Sequence, residues 1–271
     1  PCIRCNQTVK FVDLINFTKS VGSSVLATGH YVRRIKKKSK IELYQAKDMT
    51  KDQSYFLFST SRNQLEFLRF PLGDFSKREI RQFALELNIT NAEKPDSQDI
   101  CFIPNGNYRD FYISNRPDSI KGGIIETYDG KVVGQHLGII NYTIGQRKGL
   151  GIGGISGNNH SPLYVLEIDK KNNKIIVGPR EKLAKYKIYV KDVNLIQSYN
   201  KKKILDVEVK VRSGESKISA NITLGKSLEN TCIVELDKPE FGIAPGQACV
   251  FYDQNKVLGG GWIFAAEKNL N

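Results

Sequence analysis

The sequence predicts a mixed α/β segment, then a small β-rich central module, and finally a C-terminal β-barrel. Three observations support this order. A helical pattern and a short apolar strand open the chain, hairpin signals begin near residue 122, and alternating strand patterns fill the region from about residue 185 onward. The expected domain boundaries are therefore 1–118, 119–180 and 181–271.

The first segment combines helical and strand patterns. Phe11, Leu14 and Ile15 have helical spacing, and the apolar strand at residues 25–27 is followed by Thr28-Gly29-His30. Open α/β sheets bind their ligands just after such strands. Residues 76–79 (SKRE) form a capping-box pattern that predicts the start of a second helix. The segment resembles the later part of a nucleotide-binding domain.

The central module is predicted from two hairpins. Residues 124–125 and 132–133 flank Asp129-Gly130, which favours a type I′ turn with both central residues at positive φ. A second hairpin is expected around Asn172-Asn173. These two signals predict a small β-rich module.

A glycine-rich loop, residues 142–154, lies between the hairpins. It lacks the Gly-x-x-x-x-Gly-Lys-Ser/Thr pattern of a Walker nucleotide site. Arg147 and Lys148 in this loop leave two interpretations open. Either the glycines let the backbone approach RNA, or the loop is a connector held by local turns.

The C-terminal region alternates apolar and charged residues in the way that strands with one buried face do. The pattern is clearest from Leu205 to Arg212, and further strands are expected at 217–224, 231–237, 247–253 and 257–264. Five or six short strands predict a small closed barrel. Cys232 and Cys249 fall on apolar strand faces, which predicts that both are core residues.

Charge and cysteine usage narrow the class of protein. The net charge of +13, from 41 Lys and Arg against 28 Asp and Glu, favours a polyanionic partner. The densest basic tract, residues 33–40, fits either nucleic-acid contact or a solvated hairpin. No apolar run approaches the roughly 20 residues needed to span a bilayer. Five irregularly spaced cysteines indicate a reducing cytoplasm.

Three cysteines lie in polar surroundings where a thiolate can be stabilised. Cys2 and Cys5 flank Ile3-Arg4, and Cys101 follows a polar run. Cys5 and Cys101 are expected in polar loops about a hundred residues apart, which suggests cysteine chemistry across a cleft. The spacing of Cys2 and Cys5 fits a redox pair, half a zinc site or a single nucleophile. Without a second Cys-x-x-Cys motif or clustered histidines, no metal site is predicted.

Six segments, taken in order, identify a family resemblance. They are residues 1–6 (PCIRCN), 27–31 (ATGHY), 51–57 (KDQSYFL), 96–103 (DSQDICFI), 142–154 (YTIGQRKGLGIGG) and 241–247 (FGIAPGQ). Together they make the chain similar, over nearly its whole length, to the tRNA-specific 2-thiouridylases. An ordered set of long motifs is far more specific than any one of these patterns.

The resemblance implies the C-terminal part of a Rossmann-like ATP-pyrophosphatase domain of the adenine-nucleotide alpha-hydrolase type, then a central β-rich domain that contacts tRNA and a six-stranded-type barrel. It implies ATP, with Mg²⁺, as cofactor, tRNA as partner, and a sulfur-relay protein or cysteine desulfurase as persulfide donor. The cysteine usage and the lack of a long apolar run add the expectation of a cytoplasmic location and no membrane partner. The serine- and glycine-rich pyrophosphate loop of the family is not found in the sequence. We therefore expect this chain alone to be inactive.

The resemblance also implies a chemistry. The family adenylates the 2-oxygen of the wobble uridine and then replaces it with sulfur. Cys101 matches the persulfide carrier and Cys5 matches the second catalytic cysteine, so the two would form a transient disulfide. The attacking species is either the persulfide itself or hydrosulfide released by Cys5.

The binding positions follow from the same resemblance. Gly29 matches an ATP contact. The positions that match tRNA contacts are His30, Lys51, Asp52, Gln53, Arg212, Ser213 and Gln247. Two departures stand out, because many relatives have aspartate at the position of Cys2 and a larger residue at that of Ser213. Two alternative functions remain at this stage, a non-catalytic tRNA-binding fragment and a thiol–disulfide redox protein.

Overall fold

The computed structural model describes residues 1–38, 40–94, 103, 108–115, 120–152, 162–197, 204–225 and 230–267. The chain divides into two compact units. The first consists of 1–96, 187–238 and 245–265, and the second of 97–186, 239–244 and 266–271. Cys101 lies outside the described residues, as does the end of the glycine-rich loop.

The helices are α1 (Cys2–Cys5), α2 (Leu14–Ser20), α3 (Arg62–Phe67), α4 (Lys77–Glu86) and α5 (Tyr108–Asn115). The strands before the barrel are β1 (Leu26–Ala27), β2 (Val32–Lys37), β3 (Lys40–Gln45), β4 (Leu68–Arg69), β5 (Gly123–Thr127), β6 (Val132–His136), β7 (Tyr164–Asp169) and β8 (Lys174–Gly178). The barrel strands are β9 (Ala184–Leu195), β10 (Ile204–Lys210), β11 (Ile218–Leu224), β12 (Cys232–Phe241), β13 (Ala248–Asp253) and β14 (Lys256–Glu267).

One helical run opens the first unit. A π-helical segment, Asn6–Asp13, joins α1 to α2 without a break in helical backbone geometry. Ile3, Phe11 and Ile15 are buried along this run. The expectation that Cys5 lies in a polar loop is therefore wrong, because burial of Ile3 draws the polar start of the chain into the helix.

A short parallel sheet follows the helical run. Strand β1 pairs with β4 in parallel, with Leu26 opposite Leu68.

The capping box predicted at the start of α4 is confirmed. The amide of Glu79 donates to Ser76 Oγ at 3.2 Å, and the amide of Ser76 donates to Glu79 Oε2 at 2.7 Å. These bonds satisfy amides that the first turn of a helix leaves unpaired.

The predicted barrel is confirmed. Six strands pair in the order β13-β10-β11-β12-β9-β14, and pairing of β13 with β14 closes the ring. The alternation predicted for β10 is observed, since Val207 and Val209 are buried, as is Val211 just beyond the strand. Closure pairs every barrel strand on both sides, so the ring has no open edge.

The hairpin of β2 and β3 extends the barrel sheet. Strand β3 pairs with β14, with Leu43 opposite Val257 and Tyr44 opposite Lys256. The described residues of the basic tract, 33–38 and 40, thus belong to a hairpin that pairs with the barrel sheet. The N-terminal segment and the barrel share one hydrophobic core, which includes Ile3, Phe11 and Leu43 from the former and Val250 and Val257 from the latter.

A charged cluster fixes this junction. Glu42 on β3 receives a hydrogen bond from Lys256 on β14 at 2.5 Å and one from the hydroxyl of Tyr44 at 2.8 Å. Lys37 lies 3.3 Å from the same carboxylate. The bond from Lys256 is the main cause that lowers the pKa of Glu42 to about 2, against the cost of burying the carboxylate.

The described part of the second unit contains a four-stranded sheet in the order β6-β5-β8-β7. Its β5 and β8 are parallel, and its core includes Ile125, Val165 and Ile175.

Both predicted hairpins of this sheet form. The type I′ prediction is wrong, because only Gly130 of the central pair has positive φ (+88°). Its amide donates to the carbonyl of Thr127 at 2.8 Å, as in a turn that ends in a left-handed glycine.

The two barrel cysteines are core residues, as predicted. Cys232 and Cys249 are buried in the barrel. Burial raises the pKa of Cys232 to about 12 and raises that of Cys249 well above its ordinary value. Both thiols therefore stay protonated and unreactive at neutral pH.

Among the helices of the described residues, none combines the length and apolar character needed to cross a lipid bilayer.

Candidate functional site

A cavity of about 450 Å³ opens at the carboxyl end of β1, and we call it the β1 cavity. Its lining residues come from the helical run, from β1 and its following turn, and from the loop after β3. They are Lys10, Leu14, Leu26, Ala27, Thr28, Gly29, His30 and Gln53. The structure thus brings three predicted site residues, Gly29, His30 and Gln53, to one cavity of the size that small ligands occupy.

Gly29 leaves open space in the β1 cavity. A methyl group placed on its Cα would meet only the Leu72 side chain, at 3.7 Å, which is an ordinary contact. Its φ lies outside the left-handed region, so neither packing nor backbone conformation requires glycine here. The absence of a side chain leaves the backbone of Gly29 exposed at the cavity, and its contact with ATP stays a prediction.

His30 is held in an apolar setting. Its ring makes edge contacts with Phe11 and Phe70, with centroids 5.9 and 6.4 Å away, and Thr28 Oγ1 lies 2.9 Å from its Nδ1. Burial, with a smaller effect from the charge on Lys10, lowers the pKa of His30 to about 4. The imidazole is therefore neutral at pH 7 and can both donate and accept a hydrogen bond.

Gln53 braces the turn that carries His30. Its side-chain Oε1 accepts a hydrogen bond from the backbone amide of Tyr31 at 2.9 Å, and the backbone amide of Gln53 donates to the Tyr31 carbonyl at 3.0 Å. This reciprocal pair fixes the backbone immediately after His30. Gln53 therefore shapes the wall of the β1 cavity as well as lining it.

Asp52 organises the loop between β3 and the following turn of helix. Its carboxylate accepts hydrogen bonds from the amides of Ala46 and Ser54, at 3.0 and 3.2 Å. It also accepts from Gln45 Nε2 at 2.9 Å and from Ser54 Oγ at 2.7 Å. These bonds give Asp52 a structural role, and its contact with tRNA stays a prediction. The neighbouring Lys51 is partly exposed.

Tyr55 connects this loop to one end of the barrel. Its hydroxyl lies 3.0 Å from the carbonyl oxygen of Ala248 and 3.2 Å from that of Val211. Arg212 directly follows Val211 in the chain, and Gln247 directly precedes Ala248. The loop with the predicted tRNA contacts at 51–53 is therefore hydrogen-bonded, through Tyr55, to the barrel segments with the other predicted contacts. All of these segments belong to the first unit. We call the surface around Arg212 and Gln247 the barrel end.

Arg212 is already paired. Its Nη1 lies 2.7 Å from Glu215 Oε1, and both side chains are about one-third exposed. A phosphate would have to compete with this carboxylate. Ser213 is exposed, and Lys210 donates to its carbonyl oxygen at 3.4 Å.

Cys5 lies on the helical run that also contributes Lys10 to the β1 cavity, although Cys5 is not among the described lining residues. It is partly exposed. The preceding Arg4 lies over the ring of Trp262, 4.8 Å from the centroid. Asn6, the next residue, donates to the carbonyl of Phe56 at 3.3 Å. These two contacts fix the backbone on each side of Cys5.

The glycine-rich loop of the second unit is held by hydrogen bonds at its base. The amide of Gly145 donates to the Val165 carbonyl at 2.8 Å, and the Val165 amide donates to the Gln146 carbonyl at 2.9 Å. Arg147 and Lys148 are exposed beyond these bonds. The connector interpretation accounts for the described residues of this loop, and its RNA contact stays a prediction.

Three further positions contribute to this cavity or to its connection with the barrel end, and the sequence does not predict them. Lys10 carries no distinguishing signal, because a lysine on an amphipathic helix is common. Thr28 was noted only as a neighbour of Gly29 and His30. Tyr55 belongs to the segment 51–57, but its partners lie more than 150 positions away and no local pattern predicts them.

Family models match the chain along nearly all of its length. Residues 1–105 match the tRNA methyl transferase HUP domain, and residues 109–179 match the tRNA methyl transferase PRC-barrel domain. Residues 185–263 match the aminomethyltransferase beta-barrel domain. These matches, with the closed barrel, confirm the predicted fold class.

Curated relatives carry one common name. The tRNA-specific 2-thiouridylase MnmA of Neorickettsia sennetsu is 49% identical over 263 residues, which cover 97% of this chain and 69% of that protein. The enzyme of the same name from Zymomonas mobilis is 47% identical over 264 residues, or 97% of this chain and 67% of the relative. A Wolbachia enzyme from Drosophila simulans is also 47% identical, with 69% of its length covered. The chain belongs to the tRNA-specific 2-thiouridylase family.

Proposed function

We propose that this chain takes part in the ATP-dependent 2-thiolation of the wobble uridine of tRNA anticodons. Family membership supports the reaction class. The structural observation that carries the proposal is the connection through Tyr55, which ties the wall of the β1 cavity to the barrel end. One compact unit can therefore present both a reaction cavity and a surface for tRNA.

The β1 cavity is the proposed nucleotide side of the reaction. Its volume and the bare backbone at Gly29 fit part of an adenine nucleotide, and Lys10 supplies a positive charge for its phosphates. When bound, ATP, with Mg²⁺, supplies the adenylyl group that turns the uridine 2-oxygen into a leaving group. The neutral imidazole of His30 donates or accepts a hydrogen bond at this wall without adding charge.

The tRNA side uses the other predicted contacts. Arg212 is suited to a backbone phosphate, because its guanidinium can exchange the Glu215 carboxylate for a phosphate oxygen. Lys51 adds a positive charge and Gln247 adds a side-chain amide. Both lie in segments that the hydrogen bonds of Tyr55 connect. Asp52 keeps the loop in shape. The net charge of +13 strengthens association with tRNA through release of counterions.

The sulfur chemistry is assigned to two cysteines. Cys101 carries a persulfide, and its outer sulfur attacks the activated base. The activated oxygen leaves, and the outer sulfur then links Cys101 to the base through a Cys101–S–S–base bond. Cys5 attacks the Cys101 sulfur of this bond, so the outer sulfur stays on the base as the 2-thio group and a Cys5–Cys101 disulfide forms. A sulfur-relay protein or a cysteine desulfurase, together with a reductant, restores the starting state in the cytoplasm.

The proposal is tested by a thiolation assay with the full gene product that carries this sequence. Unmodified tRNA, ATP, Mg²⁺ and a persulfide donor are combined, and 2-thiouridine is detected by retardation of the tRNA in an organomercury gel. ATP-dependent retardation is expected. Cys5→Ser and Cys101→Ser should each abolish it while tRNA binding is retained.

The buried Cys232 provides the matched control. Cys232→Ala should leave thiolation intact, since this thiol lies in the barrel core. Thiolation that survives in Cys5→Ser would contradict the assigned chemistry and favour a different nucleophile. Binding of tRNA without any thiolation would favour the non-catalytic tRNA-binding alternative.

A further inference from the structure

Two thiols lie one helical turn apart at the start of the first unit. Cys2 is exposed and Cys5 is partly exposed. The amide of Cys5 donates to the carbonyl of Pro1 at 2.9 Å, and the amide of Asn6 donates to Cys2, so the turn is helical. Side chains three positions apart on a helix are neighbours, with Cβ atoms about 5–6 Å apart.

The turn has a fixed orientation. Ile3 and Asn6, which are also three positions apart, are only 7% and 3% exposed and form its buried side. Arg4 lies against Trp262. Cys2 and Cys5 therefore share an adjacent and more exposed side. A disulfide needs Cβ atoms about 3.5–4.5 Å apart, so a small adjustment of this first turn is enough to join them.

The other described thiols do not compete for this chemistry. Cys232 and Cys249 are buried in the barrel, and burial raises the pKa of both. Within the described ranges, Cys2 and Cys5 are thus the thiols that a soluble reagent can reach. Cys2 has no role in the sulfur transfer proposed above.

We propose that Cys2 is a resolving thiol for Cys5. By forming a Cys2–Cys5 disulfide, Cys2 displaces other sulfur species that are bound to Cys5. The biological meaning rests on the proposed function, in which Cys5 ends each cycle bound to another sulfur. Resolution by Cys2 would free that partner without waiting for an external reductant to reach it.

The exchange is balanced without an added oxidant. The Cys2 thiolate attacks the Cys5 sulfur of a Cys5–S–S–R bond, the Cys2–Cys5 bond forms, and R–S⁻ leaves. When R is hydrogen, the species on Cys5 is a persulfide and hydrosulfide is the leaving group. A dithiol reductant then returns Cys2 and Cys5 to thiols and is itself oxidised to a disulfide.

The test uses this chain, with Cys101→Ser as background, and contains neither tRNA nor ATP. One equivalent of dithiobis(nitrobenzoate), an aromatic disulfide, is added to the reduced protein. Attack by Cys5 releases one aryl thiolate, and attack by Cys2 on the resulting mixed disulfide releases the second. We expect about two aryl thiolates per reagent and a Cys2–Cys5 crosslinked peptide in the mass map.

Adding Cys2→Ser to this background should stop the reaction halfway. About one aryl thiolate per reagent should be released, and a stable aryl adduct should remain on Cys5. Aryl adducts that persist on Cys2 or Cys5 when both thiols are present would overturn the proposal. Because the exchange assay needs no thiolation, its failure is distinguishable from failure of the proposed function.

Discussion

The hydroxyl of Tyr55 lies 3.0 Å from the carbonyl oxygen of Ala248, although 193 residues separate them in the chain. The same hydroxyl lies 3.2 Å from the carbonyl of Val211. Through this one side chain, the loop that carries Lys51 and Gln53 is bonded to the two segments that carry Arg212 and Gln247. Burial raises the pKa of Tyr55 to about 12, so the hydroxyl remains a donor at any physiological pH.

Removal of the Tyr55 hydroxyl should loosen this connection. We expect Tyr55→Phe to lower the free energy of unfolding by about 1–2 kcal/mol, because two buried carbonyls lose their donor. It should also weaken tRNA binding. Urea unfolding and fluorescence anisotropy with labelled tRNA measure the two effects. Tyr128→Phe is the control, since Tyr128 is 54% exposed and should change neither quantity. Equal effects of the two variants would count against the connection.

Glu42 should stabilise the junction of β3 with β14 in a pH-dependent way. Its pKa falls from 4.5 to about 2 on folding, so its contribution is complete above about pH 4.5 and is lost as the pH falls toward 2. Glu42→Gln should cost about 2 kcal/mol at pH 7 and clearly less near pH 3. Urea unfolding at both pH values provides the measurement. Glu66→Gln, at an exposed pair with Arg62, is the control. A cost independent of pH would argue against the assigned ion pair.

His30 should make the protein less stable in mild acid. Its pKa is lowered from 6.5 to about 4 on folding, so between these values the unfolded state binds a proton that the folded state does not. Stability should therefore fall by about 2 kcal/mol as the pH drops from 6.5 to 4. In the His30→Gln variant, the urea concentration at the unfolding midpoint should depend less on pH between 6.5 and 4. An unchanged slope in the variant would show that another group titrates there.

Arg212 and Glu215 should have opposite effects on tRNA binding. Arg212→Ala should weaken binding severalfold and reduce the slope of affinity against salt by about one. Glu215→Ala should tighten binding, because it removes the carboxylate that competes with phosphate for the Arg212 guanidinium. Anisotropy titrations over a range of salt concentrations test both. Arg62→Ala removes an arginine that is also paired with a glutamate, and it serves as the control. Weaker binding in Glu215→Ala would contradict this assignment.

Gly260 should tolerate no side chain. A Cβ there would lie 2.6 Å from the carbonyl oxygen of Cys249 and 2.9 Å from the ring of Phe58. Gly260→Ala should therefore destabilise the barrel by about 1–3 kcal/mol in thermal or urea unfolding. Gly214→Ala is the matched control, because no atom lies within 4 Å of a Cβ at that position. Similar stability of the two variants would show that the contact at Gly260 relaxes easily.

Local features were predicted well because their causes lie within a few residues. The capping box at Ser76 and Glu79 depends on side chains three positions apart, and the buried face of β10 depends on alternation of period two. The turn at Asp129-Gly130 was predicted at the right place but with the wrong type. Dipeptide composition marks a reversal, whereas its φ angles depend on how the two flanking strands pair.

The sequence by itself determined the order of the elements, the closed barrel, the core placement of Cys232 and Cys249, and, through ordered motifs, the family. Only the tertiary structure decided that Cys2 and Cys5 begin a helix, that β3 pairs with β14, and that Gly29, His30 and Gln53 line one cavity. The physical reason is the range of the interactions. Caps and strand alternation act over a few positions, whereas the bonds from Tyr55 to Ala248 and from Lys256 to Glu42 join residues about two hundred positions apart, where no local pattern records them.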